Sequence, residues 1–433
     1  MNRGELFAAR YKNEILGFVR FRHRRDGLTT LYEIAVVHNK QGNRIGKKLV
    51  DALVDDCRRV GIRRIRLSCP AELPANGFYK RLGFVHTEGR SKAGVNRPLY
   101  EWHLTILPKR ILTFVASITA SSRDIGCLIK IWETEGVGKP FEKCIVTPLF
   151  IEAKSFEYVK YMQRSWGVKV IFDSGGFFVQ QGKIAYDELF ARLLKFYLQN
   201  DWGNIFVLPD YVPTSKNTAQ EVQERVLVTA AEGIKFFKRL PLELRSRAMG
   251  VLQGRTPEHL RHCLDAFLGS GVQHLGFGSF DTGGAQSEIN LMTNDAARRL
   301  DFVRDMLQEK FVKYQIEDLP SFHLFGVSAP NVVEKFRAYL ATSFDSSGWM
   351  RTAGYGNIYL PFKGRRNVTH GSSSLLNGPG LSASEFYAQC EHTKHQCPFC
   401  KDFKRLQQNR FARMLHNTMV FQEMVAAINE EKI

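Results

Sequence analysis

No stretch of about 18 consecutive apolar residues occurs in the chain, so the signature of a membrane-spanning helix is missing. The N-terminus, MNRGELFAARYKNE, lacks the apolar core of a secretory signal. A cytoplasmic protein with no membrane partner is therefore expected. Biased repeats are missing too, and 44% hydrophobic with 24% charged residues leaves enough apolar surface to bury a core throughout. Acidic residues are few beside basic ones, 43 against 61, for a formal net charge of +18. Such an excess favours a polyanionic partner, because each phosphate neutralised releases counterions, although charge alone also describes an ordinary basic protein. Cys57, Cys69, Cys127, Cys144 and Cys263 are scattered through apolar segments, whereas Cys390, Cys397 and Cys400 cluster near the end. That distribution fits reduced thiols and one metal site better than a disulfide framework. The length, 433 residues, suggests two or three units.

The first segment alternates short apolar strands, ELFAARY, ILGFVRFRH and LYEIAVV, with the amphipathic helix IGKKLVDALVDDCRRVG, and then IRRIRLSC as another strand. Between LYEIAVV and that helix, a strand gives way to a Gly-containing loop and a helix start. Such a turn offers free backbone N–H groups and a positive helix end to an anion. Gln41-Gly42-Asn43-Arg44-Ile45-Gly46 resembles the [QR]-x-x-G-x-[GA] loop of the GNAT acetyltransferases, which implies that these six residues hold the pyrophosphate of acetyl-coenzyme A. Arg44 replaces the middle glycine and is expected to hinder close approach of the backbone. ANGFYKRLGF resembles the second signature of the family, which implies that Tyr79 protonates the leaving thiolate. A packed aromatic is the competing reading of Tyr79. The resemblance covers roughly residues 1–105 and implies a GNAT-like α+β domain over residues 1–108. Little sequence precedes ELFAARY, so altered acceptor recognition is expected.

After Pro108 the rhythm changes. LTFVASI, CIVTPLF, VKVIFDS, NIFVLPD, AMGVLQG, VQHLGFG, FHLFGVS and ATSFD recur as apolar segments before helical stretches. Eight such units over about 240 residues predict a (β/α)8 TIM barrel, with functional groups at the C-terminal ends of its strands. The α/β barrel unit is expected over residues 109–433, including a zinc-binding subdomain at 386–433.

At those strand ends stand Asp173-Ser174-Gly175-Gly176-Phe177, Asp210, Gln253-Gly254, Gly276-Phe277-Gly278 and Asp345. The series resembles the tRNA-guanine transglycosylases. DSGGF is near-verbatim, GVLQG resembles their G-[IV]-x-Q-G, and FGVSAP with FDSSGW resembles their MGVGTP with FD. The chemistry gives each residue a reason. Exchanging a base means breaking its bond to C1′, and a carboxylate that bonds C1′ covalently divides one hard step into two easier ones. By resemblance Asp345 is that nucleophile and Asp173 the group that moves protons on and off the bases. The resemblance further implies that Asp210 accepts from the 2-amino and ring N–H groups of a guanine-like base. Ser174, Gln253 and the backbone at Gly276 and Gly278 would then read the remaining edge, with Phe177 and Phe325 as stacking faces. Taken one at a time, Asp173 and Asp345 also read as loop or turn caps.

Cys390, Cys397, Cys400 and His416 form a candidate tetrahedral zinc site, with His392 and His395 as alternatives for the fourth ligand. Arg351, Lys363, Arg365 and Arg366 follow the expected nucleophile, the loop KGRRNVTHGSSSLLNGPG spans residues 363–380, and Lys401, Lys404, Arg405, Arg410 and Arg413 come later. These are expected to offer a basic face to a phosphate backbone, or simply to be solvated.

Together these readings imply a guanine transglycosylase acting on nucleic acid with a 7-deazaguanine as the incoming base. DNA, as in the deoxypurine-in-DNA branch, is favoured over tRNA because no PUA-like domain follows the zinc region. Zinc and acetyl-CoA are the expected cofactors, and a dimer is compatible, since some family members assemble in pairs. The alternative is a GNAT acetyltransferase acting on a nucleobase or another acceptor, with the barrel as a binding module. A non-enzymatic partner subunit ranks last, because such subunits lose the nucleophile.

Overall fold

The computed structural model describes all residues except 1–4, 89–97, 107–109, 215, 279–293, 315–318, 328–332, 334–339, 370–378 and 431–433. The expected boundary at residue 108, the end of FGVSAP and the middle of the loop 363–380 lie outside the described residues. The chain divides into two compact units, Met1–Lys109 with Gln308–Gln315, and Arg110–Leu307 with Ile316–Ile433. No described helix is long and apolar enough to cross a membrane.

The first unit is a six-stranded sheet in the order β1-β2-β3-β4-β6-β5. Strands β1 (Glu5–Tyr11), β2 (Glu14–His23) and β3 (Leu28–Val36) form an antiparallel meander. Helix α1 (Ile45–Arg59) returns the chain to β4 (Arg64–Pro70), which lies parallel to β3. Helix α2 (Ala75–Arg81), β5 (Val85–Glu88) and β6 (Leu99–Thr105) complete the unit. Its core joins one face of α1 (Leu49, Val50, Leu53) to inward residues of the sheet such as Val19, Phe21, Leu31, Ile65 and Leu67. The i, i+1, i+4 spacing on α1 and the alternation along β2 and β4 put these apolar residues on facing surfaces.

The second unit contains a closed barrel of eight parallel strands in the order β10-β11-β12-β13-β14-β7-β8-β9. These are β7 (Thr113–Ser117), β8 (Lys143–Val146), β9 (Lys169–Phe172) and β10 (Ile205–Val207), then β11 (Ala248–Leu252), β12 (His274–Phe277), β13 (Ser321–Leu324) and β14 (Ser343–Ser346). Each expected apolar segment contributes one of them. Val115, Ile145, Ile171, Val207, Met249 and Val251 fill the interior. Alternate residues face the outer helices, and Gly250 leaves room for Phe267 of the helix Pro257–Gly269, whose ring a Cβ there would meet at 2.6 Å.

Helix starts follow local chemistry. Thr218 and Glu221 make a reciprocal capping box for Ala219–Arg239, as do Ser382 and Glu385 for Ala383–Thr393. The last helix, Arg410–Asn429, packs against β7. Phe421 stacks on Phe114 of β7 (centroids 4.6 Å apart, planes at 8°), and Asn429 bonds both the N–H and the carbonyl of Leu112 at 2.9 Å. Asn417 accepts from Tyr359 N–H at 2.7 Å in the hairpin β15 (Asn357–Leu360) and β16 (Gly364–Asn367).

Candidate functional sites

In the first unit, β3 and β4 pair only from Leu28–Thr30 to Arg64–Arg66, and then part although both continue for several residues. Two unpaired strand edges are left there, able to bond an amide-bearing chain laid between them. At the far end of β3 lies the loop 41–46. Gly42 (φ 83°) and Arg44 (φ 58°) both adopt left-handed backbone, and α1 begins at Ile45. The first bond of the helix runs from Lys48 N–H to the Arg44 carbonyl at 3.0 Å, so the N–H groups of the first turn face outward. Gln41 Nε2 donates to the Val36 carbonyl and Asn43 Nδ2 to the Lys40 carbonyl, both at 3.2 Å, which shapes the loop around its backbone. Gly46 lies under Phe78, whose ring a Cβ would meet at 3.1 Å. Arg44 thus takes the conformation a glycine would adopt without strain.

Tyr79 is 7% exposed and sits among Phe78, Phe84 and Trp102. Burial, and after it the neighbouring Cys69 thiol, pushes its hydroxyl up to about 12. It therefore carries its proton at neutral pH, while its ring serves the core.

At the C-terminal end of the barrel, Asp173, Ser174, Phe177, Asp210, Gln253, Gly278, Phe325 and Asp345 line one cavity of about 310 Å³. Asp345, at the end of β14, accepts from Gly326 N–H at 2.7 Å and from the Ser117 hydroxyl on its other oxygen. His323 Nε2 lies 3.2 Å from Asp345 Oδ1, and His323 Nδ1 lies 2.8 Å from Ser343 Oγ. Asp173 accepts from Thr147 Oγ1 at 2.9 Å. Burial pushes the Asp173 carboxyl up to about 7, with the negative charges of Asp210 and Asp345 adding to the effect. Burial also raises Asp210, partly offset by Ser174 Oγ at 2.6 Å and Gln253 Nε2 at 2.7 Å. Gln253 Oε1 is buried with no hydrogen-bond partner, so it is an acceptor waiting for a donor. The two glycines of DSGGF let the chain turn under Asp210. Gly175 has φ 83°, and a Cβ on Gly176 would meet Asp210 Oδ1 at 2.4 Å.

Gly276 lies within the β12 ladder beneath Phe325, where a Cβ would meet that ring at 2.3 Å, and Gly278 lines the cavity. Ser117, Thr147, His323 and Gly326 were not singled out from the sequence. The signal available was a polar residue or glycine at the end of an otherwise apolar strand.

In the C-terminal region His395, Cys397, Cys400 and His416 bring four ligand atoms within 4.8 Å of one another. Of the three residues open for the fourth position, Cys390, His392 and His395, the group includes His395. Cys390 stands beside the group, hydrogen-bonded to Cys400, and His392 is exposed on the preceding helix. Left-handed Lys394 (φ 56°) turns the chain so that His395 enters. The four fit a metal. His395 Nε2 is buried without a partner, and both imidazoles are oriented from behind, His395 Nδ1 by Glu423 and His416 Nε2 by the Tyr359 carbonyl at 2.9 Å. All eight cysteines are free thiols.

The expected basic face shrinks. Arg405 and Arg410 pair with Glu135 and Asp124, and buried Arg413 donates to the carbonyls of Ala353 (2.9 Å) and Leu406 (2.7 Å).

A sheet whose parallel strands splay beside a glycine-bearing helix start defines the first unit as an acetyl-transfer domain. Residues 1–84 match the model of the Acetyltransferase (GNAT) family. The chain is 35% identical over 104 residues to a 5-NmdU N-acetyltransferase of Pseudomonas phage PaMx11, covering 23% of this chain and 71% of that protein. Through this domain the chain belongs to the GNAT acetyltransferase family. Solved structures similar to it include the ribosomal-protein-S18-alanine N-acetyltransferase of Escherichia coli (21% identity, 24% of this chain and 71% of that one, TM-score 0.22). Another is the IAA acetyltransferase of Bacillus cereus (20% identity, 24% and 78%, TM-score 0.21).

Proposed function

We propose that the N-terminal domain moves the acetyl group of acetyl-CoA onto an amine carried by a modified nucleobase. The parting of β3 and β4, which begins at Thr30 and Arg66 and runs toward the end of β3 where the loop 41–46 lies, carries this reading. The loop would hold the pyrophosphate and the unpaired strand edges the amide arm. The acceptor class comes from the phage relative, a 5-NmdU N-acetyltransferase. In the reaction the amine nitrogen attacks the thioester carbonyl, a C–N bond forms as the C–S bond breaks, the nitrogen gives up a proton and the sulfur takes one. Tyr79, which keeps its proton at neutral pH, is the candidate donor of that last proton. The test is transfer of labelled acetyl from acetyl-CoA to 5-NmdU. No label on the base, with acetyl-CoA bound, would count against the reading.

A second activity is favoured by one observation. Asp345, Asp173 and Asp210 line the same cavity, and the carboxylate of Asp345 is held by Ser117 and Gly326. A pure binding module has no need of an oriented nucleophile. In this reading Asp345 displaces guanine from C1′ as Asp173 delivers a proton to the departing base, and a 7-deazaguanine then bonds C1′, breaking the ester to Asp345 and returning its ring N–H proton to Asp173. Asp210 and Gln253 Oε1 hold the base edge. Release of labelled guanine from DNA or tRNA, lost in Asp345→Ala, tests it. His395, Cys397, Cys400 and His416 would hold a structural zinc, which ties the last helix to the turn before it.

A further inference from the structure

The segments 20–26 (RFRHRRD) and 63–66 (RRIR) carry seven arginines and one aspartate. They are remote in sequence, but the sheet brings them together. Arg22 pairs with Thr30 and Thr30 with Arg66, so the three form one row across β2, β3 and β4. Residues directly opposite one another in a sheet share a face, which sets Arg22 and Arg66 on the same side, roughly 10 Å apart across two strand spacings. In the next row Leu28 pairs with Arg64. Arg22, Arg24, Arg25, Tyr32, Arg66 and Ser68 line an open cavity of about 930 Å³.

This cavity lies where β3 and β4 begin to part, with Thr30 and Leu31 on one wall and Leu67 and Ser68 on the other. It is not the expected pyrophosphate site. The loop 41–46 lies beyond Val36, six residues further along β3, or about 20 Å away. The acids in its lining are engaged, Glu5 with His23 at 3.2 Å and Asp26 with Arg24 at 2.8 Å, and Glu101 beside it lies 3.8 Å from Arg66. Tyr32 is 52% exposed and has the Arg20 guanidinium 5.5 Å from its ring centre. Arginines in a row beside an exposed aromatic are the combination that tracks a phosphate backbone and stacks a base in single-stranded nucleic acid.

We infer that the acetyl acceptor is borne on a nucleic-acid strand, whose phosphates lie along the Arg22–Thr30–Arg66 row while the modified base turns toward the parting of β3 and β4. The inference rests on the acetyl-transfer reading and adds that the polymer, and not a free nucleoside, is the substrate. Base exchange is no part of it.

The test measures acetyl transfer by the full chain to a single-stranded oligonucleotide with one 5-NmdU and to the free 5-NmdU nucleoside, at several salt concentrations. Wild type should favour the oligonucleotide by at least about tenfold in kcat/KM, because only the strand meets the arginines. In Arg22→Glu with Arg66→Glu that preference should collapse. The slope of log kcat/KM against log salt should flatten by about 1.4, the loss of two contacts at about 0.7 each for a single strand. Arg22→Lys with Arg66→Lys, which keeps the charge, should retain most of the preference and so exclude a folding defect. Equal use of nucleoside and oligonucleotide by wild type, or an unchanged preference in the glutamate variant, would overturn the inference while leaving acetyl transfer standing. Transfer to neither acceptor would overturn both.

Discussion

Gly326 and Asp345 meet at the mouth of the barrel, where the backbone N–H of the first donates to Oδ1 of the second at 2.7 Å. With the Ser117 hydroxyl on Oδ2, the carboxylate is held by donors on both oxygens before any substrate arrives. Such preorganisation matters most to a group that must attack along one line. On the base-exchange reading, Asp345→Asn should therefore lower that activity by a factor on the order of 10³ or more, because a neutral amide cannot form the ester to C1′. Ser117→Ala should cost about tenfold, the value of one hydrogen bond to a charged group. Single-turnover release of labelled guanine measures both, and an active Asp345→Asn would remove this residue from the chemistry.

Asp173 couples stability to pH. Its carboxyl stands at about 7 because burial, followed by the charge of Asp210, disfavours ionisation. The folded value lies above the unfolded one, so this contribution is full below about pH 4 and is lost as the pH rises through about 7. Asp173→Asn removes the penalty. Relative to wild type it should gain up to about 3–4 kcal/mol of unfolding free energy between pH 4 and pH 8. Urea denaturation of both proteins at pH 4, 6 and 8 gives the difference. A constant difference across that range would show that Asp173 ionises normally.

Metal at the C-terminal cluster should be stoichiometric. About one zinc per chain is expected by elemental analysis, falling to near zero in Cys397→Ser and in His395→Ala, whereas Cys390→Ser should keep most of it. Chelation should lower the melting temperature by on the order of 10 °C, since the cluster joins the last helix to the turn before it. Loss of metal in Cys390→Ser, with retention in His395→Ala, would reverse the ligand assignment.

Docking of the last helix on β7 depends on packing. Phe421→Ala removes the ring stacked on Phe114 and should cost about 3–5 kcal/mol, as large aromatic deletions in cores do. A loss below about 1 kcal/mol in denaturant titration would mean that this contact contributes little to the stability of the unit.

The barrel was legible because eight β-branched, apolar segments ended in polar residues, and a closed parallel sheet leaves strand ends as the place for chemistry. The supporting residues were not. Ser117, Thr147 and His323 sit in or at the ends of apolar runs, where one polar side chain reads as ladder decoration until the sheet closes and brings β7 beside β14. His395 was one alternative among several for a similar reason. Ligand choice turned on one left-handed residue, Lys394, and backbone handedness at a lysine has no sequence signal. Gly276 followed the family pattern in sequence, yet what requires a glycine there is the space beneath Phe325. The arginines of β2 and β4 looked like general basic charge, because only the β2-β3-β4 register places Arg22 and Arg66 in one row.

Calorimetric titration of the full chain with acetyl-CoA, beside Gly42→Asp, tests the acetyltransferase assignment most directly. A Cβ at residue 42 meets nothing within 4 Å, and aspartate is among the residues that enter left-handed backbone most readily, so the variant should fold at a modest cost in backbone strain while setting a negative charge against the pyrophosphate. Binding at one site per chain, weakened at least about tenfold in Gly42→Asp, is the expected result. Absence of binding to the wild type, or equal binding to both proteins, would contradict the placement of the coenzyme at the loop 41–46.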